Sequence, residues 1–389
     1  MIRMRFGVVA VLALAVVAAG CSSSSSSSSS ASGSSTGATG STGSTSGSAG
    51  SPLKVAFIYD GSATDENFNQ EADIGRQAVE AQYGSKVQTT FKENVPEGPS
   101  ATQVAQSLIS QGYKLFFVNG TGFETYFQPL AKANPDVRFE EFESAVSGGN
   151  YGAYNVNIAE ADYLAGMALA AGSKTGHLGI VASFPFPGIL TQINGFELGA
   201  QAVNPNATLR TVFISSFYDP AKETQAAQAL VSGGADGLVA DLNDGNTCQV
   251  AEKAGIPCIA NTLLNGASDG PTTYLTDARF VWTPIMIQVV GDVLAGKTVS
   301  DSIFEGYAQG AAALGPDGPA YDKWVSPTVQ SQMAAKEAAL KSGTFNVYQG
   351  PLKDQTGAVR VPAGQALAPD QITSIHWAVQ GVIGSISSK

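Results

Sequence analysis

The segment "DENFNQ", Asp65 to Gln70, places Phe68 between Asn67 and Asn69 directly after the apolar run "KVAFIY". An aromatic face flanked by amides, each offering donors and acceptors, can stack on a flat heterocycle and read its edge. Phe68 alone also fits a plainer role, as the first apolar residue of a helix packed on its own sheet. Further along, "SSFYDPAKE" from Ser215 offers Phe217 or Tyr218 for the opposite face of such a ligand. Asp219 before Pro220 there reads as a helix N-cap. Comparable loops carry Phe123, Phe184, Phe186, Asn119, Asp241 and Asp244.

Groups for covalent or acid–base catalysis are sparse. His177 and His376 are the only histidines, and neither stands in a nucleophile or metal-ligand pattern; the pair Glu140–Glu141 reads as solvated charge. No Gly-x-Gly-x-x-Gly opens a helix, and "GSKTG" from Gly172 lacks the spacing of a phosphate-binding loop. Cys248 and Cys258 are ten residues apart, a spacing that matches no zinc site. A disulfide and a pair of buried thiols both fit them. No catalytic residue, metal or cofactor is expected.

The elements that must position these loops alternate: β-type runs such as "KVAFIY", "KVQTTF" and "KLFFVN" are separated by amphipathic helical stretches. That pattern argues parallel sheets covered by helices. An internal repeat sharpens it. "QVAQSLISQGYKLFFVN" from Gln103 and "QAAQALVSGGADGLVAD" from Gln225 match in register at an offset of 122 residues, which also aligns "KVAFIYDG" with "GHLGIVAS". Two similar lobes, each begun by a βαβαβ unit, follow from this offset. Ligands of open parallel sheets gather beyond the carboxyl ends of the strands. The loops Asp60–Asn69, Glu93–Gly98, Asn119–Thr125, Ser183–Gly188, Ser215–Asp219 and Asp241–Asn246 are therefore expected to face one another across a cleft.

The rest of the chain sets the compartment. Arg3, Arg5, an apolar run to Gly20 and then Cys21 form a secretory signal over residues 1–20, and "VAAGC" resembles a bacterial lipobox in which Cys21 is lipidated. Residues 21–52 are almost wholly Ser, Gly, Thr and Ala, a disordered tether with a reach of roughly 30 Å. Removing Arg3 and Arg5 takes the net charge from −11 to −13, a poor surface for nucleic acid. The candidate loops also hold few cationic residues, which disfavours phosphorylated or strongly anionic ligands.

"DENFNQ", "ENVPEG", "ASFPFP", "INGFELGAQAVNP", "FYDPAKE", "VWTPIMIQVVGDVLAGK", "YQGPLKDQTGAVRVPAG" and "HWAVQGVIG" together resemble the basic membrane protein family of substrate-binding lipoproteins, over Leu53 to Ser385. The resemblance implies a type I periplasmic-binding-protein fold: two doubly wound parallel-sheet α/β lobes joined by a hinge. It also implies capture of purine nucleosides or bases and delivery to an ABC importer permease. On this resemblance Phe68 is the stacking aromatic, Phe217 or Tyr218 its counterpart, and Asp65, Asn67, Asn69 and Asp241 are polar contacts. Two features depart from nucleoside-binding members. An Asp-Ser-Asp segment is replaced by "NTLLN" from Asn261, and a lysine position by Phe280, so the usual ribose clamp is missing. Trp282 near the cleft and "YDPAKE" resemble free-purine binders.

The expected organisation is thus a first lobe of residues 53–157 plus about 258–308 and a second of 158–257 plus about 309–389, with crossings near Asn157, Asn261 and Gln309. The expected protein is a monomeric, extracytoplasmic, membrane-anchored binder of a purine nucleobase, without enzymatic activity. Its alternatives are a nucleoside binder of the same system and a surface sensor or adhesin on the same fold.

Overall fold

The computed structural model describes residues 51–386. The signal segment, Cys21 and all but the end of the tether lie outside the described residues. The first sheet contains β1 (Leu53–Tyr59), β2 (Val87–Lys92), β3 (Leu115–Asn119), β4 (Arg138–Phe142) and β5 (Tyr151–Val156). The second contains β6 (His177–Ala182), β7 (Thr208–Phe213), β8 (Leu238–Asp241), β9 (Cys258–Asn261) and β10 (Tyr274–Phe280). Later strands add β11 (Ser302–Glu305) to the first sheet, and β12 (Ala312–Leu314) and, near the C-terminus, β15 (Val382–Ile383) to the second. Leu352–Lys353 and Val359–Val361, β13 and β14, form a separate two-stranded ribbon.

Strand order in the first sheet is β11-β5-β4-β3-β1-β2 and in the second β12-β10-β9-β8-β6-β7-β15. Both therefore contain the same doubly wound core, β2-β1-β3-β4-β5 and β7-β6-β8-β9-β10, which is the repeat read from the 122-residue offset. The central strands are buried on both faces, as parallel sheets covered by helices require: Val55 to Tyr59 and Leu115 to Asn119 are all buried. Within this repeat the strands are linked by α1 (Phe68–Tyr83), α2 (Pro99–Ser110) and α3 (Glu124–Ala133) in one lobe. The second lobe has α4 (Ala159–Gly172), α5 (Pro187–Val203), α6 (Pro220–Ser232), α7 (Asn246–Ala254) and the single turn α8 (Gly266–Asp269).

One expected boundary is corrected. The chain does not return to the first lobe at about residue 258, because β9 pairs with β8 (Leu238 opposite Cys258) and β10 pairs with β9. The repeat needs these two strands to complete the second sheet, and leaving at Asn261 would expose a parallel edge. The crossing follows Phe280 instead, where Trp282 leads into α9 (Thr283–Leu294), packed on α1 of the first lobe. The other two connections run from β5 through Asn157 into α4 and from β11 through Gln309 to β12. Cys248 and Cys258 form a disulfide with Cα atoms 5.4 Å apart, tying α7 to β9. This settles the choice between a bridge and two thiols.

The closest helix pair lies in the second lobe. α4 is apolar around nearly its whole circumference and packs against α5 through small residues. A methyl group on Gly199 would sit 1.8 Å from the Tyr163 carbonyl oxygen, and one on Gly166 would sit 2.1 Å from that of Phe196. Buried Asn194 on α5 then anchors the C-terminal segment. Its Nδ2 donates to Trp377 O (3.0 Å) and its Oδ1 accepts from Val379 N (2.8 Å). Gly199→Ala should force the two helices apart and lower stability by about 1–3 kcal/mol, as overpacking does. Urea unfolding measures it, and an unchanged midpoint would contradict the packing described.

Candidate functional site

In each doubly wound sheet the connections reverse direction between the first and third strands, which opens a crevice at their carboxyl ends. The two crevices face each other. The resulting cleft, about 670 Å³, is lined from the first sheet by residues after β1 and β3, and from the second by residues after β6 and β8. A second cavity of about 770 Å³ lies beyond Glu143 and Phe186, over β5 and β11. It shares Thr121, Glu143 and Phe186 with the first but lacks Phe68 and Phe217, so the first is the candidate site.

Aromatic side chains reach the cleft from both lobes. Phe68 lines it while packing nearly perpendicular to Trp282 (centroids 4.8 Å apart, 86°) and to Phe280 (6.1 Å, 86°). From the second lobe come Phe186, Phe217 and Tyr218. Phe217 is 40 % exposed and rests on Phe184 (5.4 Å) and Phe186 (6.2 Å). Phe68 thus combines both roles that the sequence leaves open, since it packs on the interior and lines the cleft.

The neighbouring amides have a different use from the one expected. Asn67 caps α1, its Oδ1 accepting from Phe68 N (2.7 Å), and its Nδ2 donates across the cleft to Leu242 O (3.3 Å). Asn69 Nδ2 donates to Asp65 Oδ2 (3.0 Å), and its Oδ1 accepts from Asn119 Nδ2 (3.5 Å). Asp65 accepts the backbone N–H groups of Asn67, Asn69 and Gln70. All three line the cleft, yet they bond first to the protein: they build the loop that holds Phe68. A second interlobe hydrogen bond runs from Leu264 N to Glu66 O at 2.8 Å. Glu66 is left-handed (φ 57°), as are Asn94, Glu143, Ser215 and Thr262, all at carboxyl-end loops. Such strain in non-glycine residues gathers where function dictates geometry.

Asp241 and Asn261 also line the cleft from the second lobe, Asn261 donating to Gln192 Oε1 (2.5 Å). Four expected residues do not line it. Phe123 is fully buried against Phe127, Phe184 stands behind Phe217, and Trp282 is fully buried behind Phe68. Asp244 accepts from the Asn246 backbone and amide (3.1 and 2.6 Å) at the start of α7. An apolar or short polar residue in a carboxyl-end loop can point inward as well as outward, so loop membership did not separate these cases.

The cleft also holds carboxylates that residue patterns did not single out: Asp60, Glu97 and Glu143. Asp60 and Glu143 each follow the last residue of a strand, a position that the carboxyl-end rule marks. Burial pushes Asp60 up to about 6, with the Asn69 hydrogen bond opposing, and Glu143 up to about 7. Asp241 is raised well above the usual carboxylate range by burial. Beneath the cleft Glu140 and Glu141, expected as solvated charges, are fully buried on β4. Glu140 pairs with Arg138 (2.6 Å), while Glu141 accepts Phe123 N (2.8 Å) at the start of α3 and bonds the Tyr151 hydroxyl. Burial raises them to about 7 and about 8.

Comparison with known proteins follows this geometry. The family model Bmp, described as ABC transporter substrate-binding protein PnrA-like, matches residues 53–256. A purine-binding protein of Brucella abortus (strain 2308) is 33 % identical over 332 residues, covering 85 % of this chain and 93 % of that protein. The chain belongs to the Bmp family. A putative ABC transporter glucose-binding protein of Haloferax volcanii is 28 % identical to this Bmp protein, with 77 % and 74 % of the two chains covered. The fold matches an ABC transporter solute-binding protein from Conexibacter woesei DSM 14684 with a TM-score of 0.64 at 23 % identity, covering 76 % of this chain and 98 % of that one. The architecture is that of type I periplasmic binding proteins.

The buried carboxyls of this Bmp protein give its stability a definite pH dependence. In the unfolded chain they titrate near 4, whereas Glu140, Glu141, Glu143 and Glu197 are raised to between about 7 and about 8, chiefly by burial. Above pH 5 the folded state therefore holds protons that the unfolded state has released, and stability falls as pH rises through 7 and 8. Asp354, held near 2 first by the Thr356 hydroxyl, is ionised in both states across this range and does not oppose the trend. Urea midpoints should decline from pH 5.5 to pH 9; a rise over that interval would contradict these assignments.

Proposed function

We propose that this Bmp protein is an extracytoplasmic, lipid-anchored solute-binding protein that captures a purine nucleobase between its lobes and presents it to an ABC importer permease. The observation carrying this reading is the pairing of aromatics across one cleft: Phe68 from the loop after β1, Phe186 and Phe217 from the loops after β6 and β7. Aromatic stacking from two sides suits a flat ring and is worth roughly 1–3 kcal/mol per contact. The 33 % identity to a relative named as purine-binding supports the ligand class. The interlobe bonds Asn67–Leu242 and Glu66–Leu264 flank the Phe68 loop, so a ligand seated there favours closure through its affinity for the closed state.

Anchoring rests on Cys21 and the tether that follows it. A nucleoside is the second reading. A cleft of about 670 Å³ is roomy for a base alone, and a relative named as nucleoside-binding, from Lactococcus lactis, is 30 % identical over 47 % of this chain.

A melting-temperature panel of purine bases and nucleosides tests the reading, because a ligand at 100 times its Kd stabilises by about 2.7 kcal/mol. Unshifted curves for every member would rule the purine reading out. Phe217→Ala should weaken binding by roughly tenfold or more and leave the ligand-free melting temperature unchanged, since the side chain is exposed. Phe68→Ala should weaken binding and also cost about 3 kcal/mol of stability, because that ring packs on the interior.

A further inference from the structure

Two loops of the second lobe wall the cleft side by side: the one carrying Phe217 and Tyr218 before α6, and Leu242–Asn243 after β8. They are joined at their tips, where Asn243 N donates to Phe217 O (3.0 Å). Behind that bond two carboxyls meet at the start of α7. Glu223, fully buried on α6, accepts Thr247 N and Thr247 Oγ1 through Oε1 (2.8 and 2.7 Å). Half-buried Asp244 uses Oδ1 for the adjacent residue, accepting Asn246 N and Nδ2. The remaining oxygens, Glu223 Oε2 and Asp244 Oδ2, are both shielded from water, and no N–H or hydroxyl of the described residues donates to either. They lie within hydrogen-bond reach of each other. Two carboxyl oxygens can bond only when a proton lies between them; two ionised carboxylates so placed repel.

The charged groups around them offer no other remedy. Lys222 is turned out onto Asp219 (2.9 Å) at the exposed start of α6, and α7 carries Glu252 and Lys253 only in its last turn. Asp269 of α8 borders Gly245 and accepts from Gln249, Asp241 ends β8, and His177 stands at the opposite end of β6. Burial first, and then the facing Asp244, push Glu223 up to about 9, so the pair keeps its proton at neutral pH.

We propose that Glu223 and Asp244 are positioning residues for ligand binding: one proton shared between them latches the loop after β8 to α6 and so holds the Phe217 wall of the cleft. The inference rests on the interlobe cleft as the ligand site, and neither carboxyl touches the ligand. Loss of the proton sets two like charges against each other with no cation between them, and drives the loop from α6. That movement strains the Asn243–Phe217 bond and displaces Leu242 O, which accepts Asn67 Nδ2 across the cleft (3.3 Å). Ligand then binds only the latched fraction, and the apparent affinity falls with that fraction.

Two measurements on the full chain test this. The carbon-13 carboxyl resonance of Glu223, assigned by its loss in Glu223→Gln, should titrate above pH 8, and at lower pH in Asp244→Asn, whose amide donates to it. A midpoint below pH 7 overturns the shared proton. Calorimetric titration with adenine, hypoxanthine and adenosine at pH 7 and pH 10 reads its consequence. Glu223→Gln supplies a permanent N–H in place of the proton, and ionisation of the ligand cancels when the two proteins are compared. Wild-type affinity relative to the variant should fall about tenfold over that interval. Asp244→Asn, at a half-buried position, should behave as Glu223→Gln does. A constant ratio against both variants overturns the inference and leaves the purine reading intact. Absence of binding by all three purines at pH 7 removes the purine reading, while the carboxyl midpoint still upholds or overturns the shared proton.

Discussion

The site depends on a desolvated cluster of four aromatic rings where the chain crosses between the lobes. Trp282 and Phe280 stack with centroids 5.1 Å apart and planes 4° from parallel, and Phe142 meets both rings almost at right angles. Phe68 completes the group. Phe280 ends a strand of the second sheet, Phe142 ends a strand of the first, and Trp282 begins the helix that packs on α1. One apolar contact therefore fixes both lobes and the first residue of α1. Edge-to-face packing of this kind holds ring orientation as well as position, which is why a side chain on a loop can serve as a rigid wall of the cleft.

The duplicated topology supplies everything else. Because both sheets reverse their winding at corresponding places, their crevices are equivalent, and three crossings on one side turn them face to face. The loops that meet there are held in unusual backbone conformations, with left-handed Glu66, Glu143 and Thr262 among them. The strain is opposed by specific bonds such as Glu66–Leu264 and Asn67–Leu242, which exist only while the lobes are together. Asp60, Glu143 and Asp241 follow the same logic: burial raises all three, so the cleft carries less charge than its acids suggest.

Much of this was readable in the residues. The 122-residue offset gave both sheet cores, and the carboxyl-end rule picked out the loops containing Phe68, Phe217 and Asp241. Where reading failed, the missing information was tertiary. Glu140 and Glu141 look like surface charge because two adjacent acids usually are; only the Arg138 pairing and the α3 N-terminus explain their burial. The resemblance to free-purine binders sets Trp282 near the ligand, yet its ring is fully buried against Phe68. Asn67 and Asn69 offered the right amides for a ligand, but their hydrogen bonds build the loop, a competition that sequence does not express. The return crossing at Phe280 instead of Asn261 follows from strand pairing between distant segments.

A crystal structure of the protein grown with a purine base speaks to the heart of this picture. Planar density is predicted in the cleft, with one face on Phe68 and the other on Phe217. Density in the cavity beyond Glu143 and Phe186, or a base bound in the cleft without contact to Phe68, would contradict it.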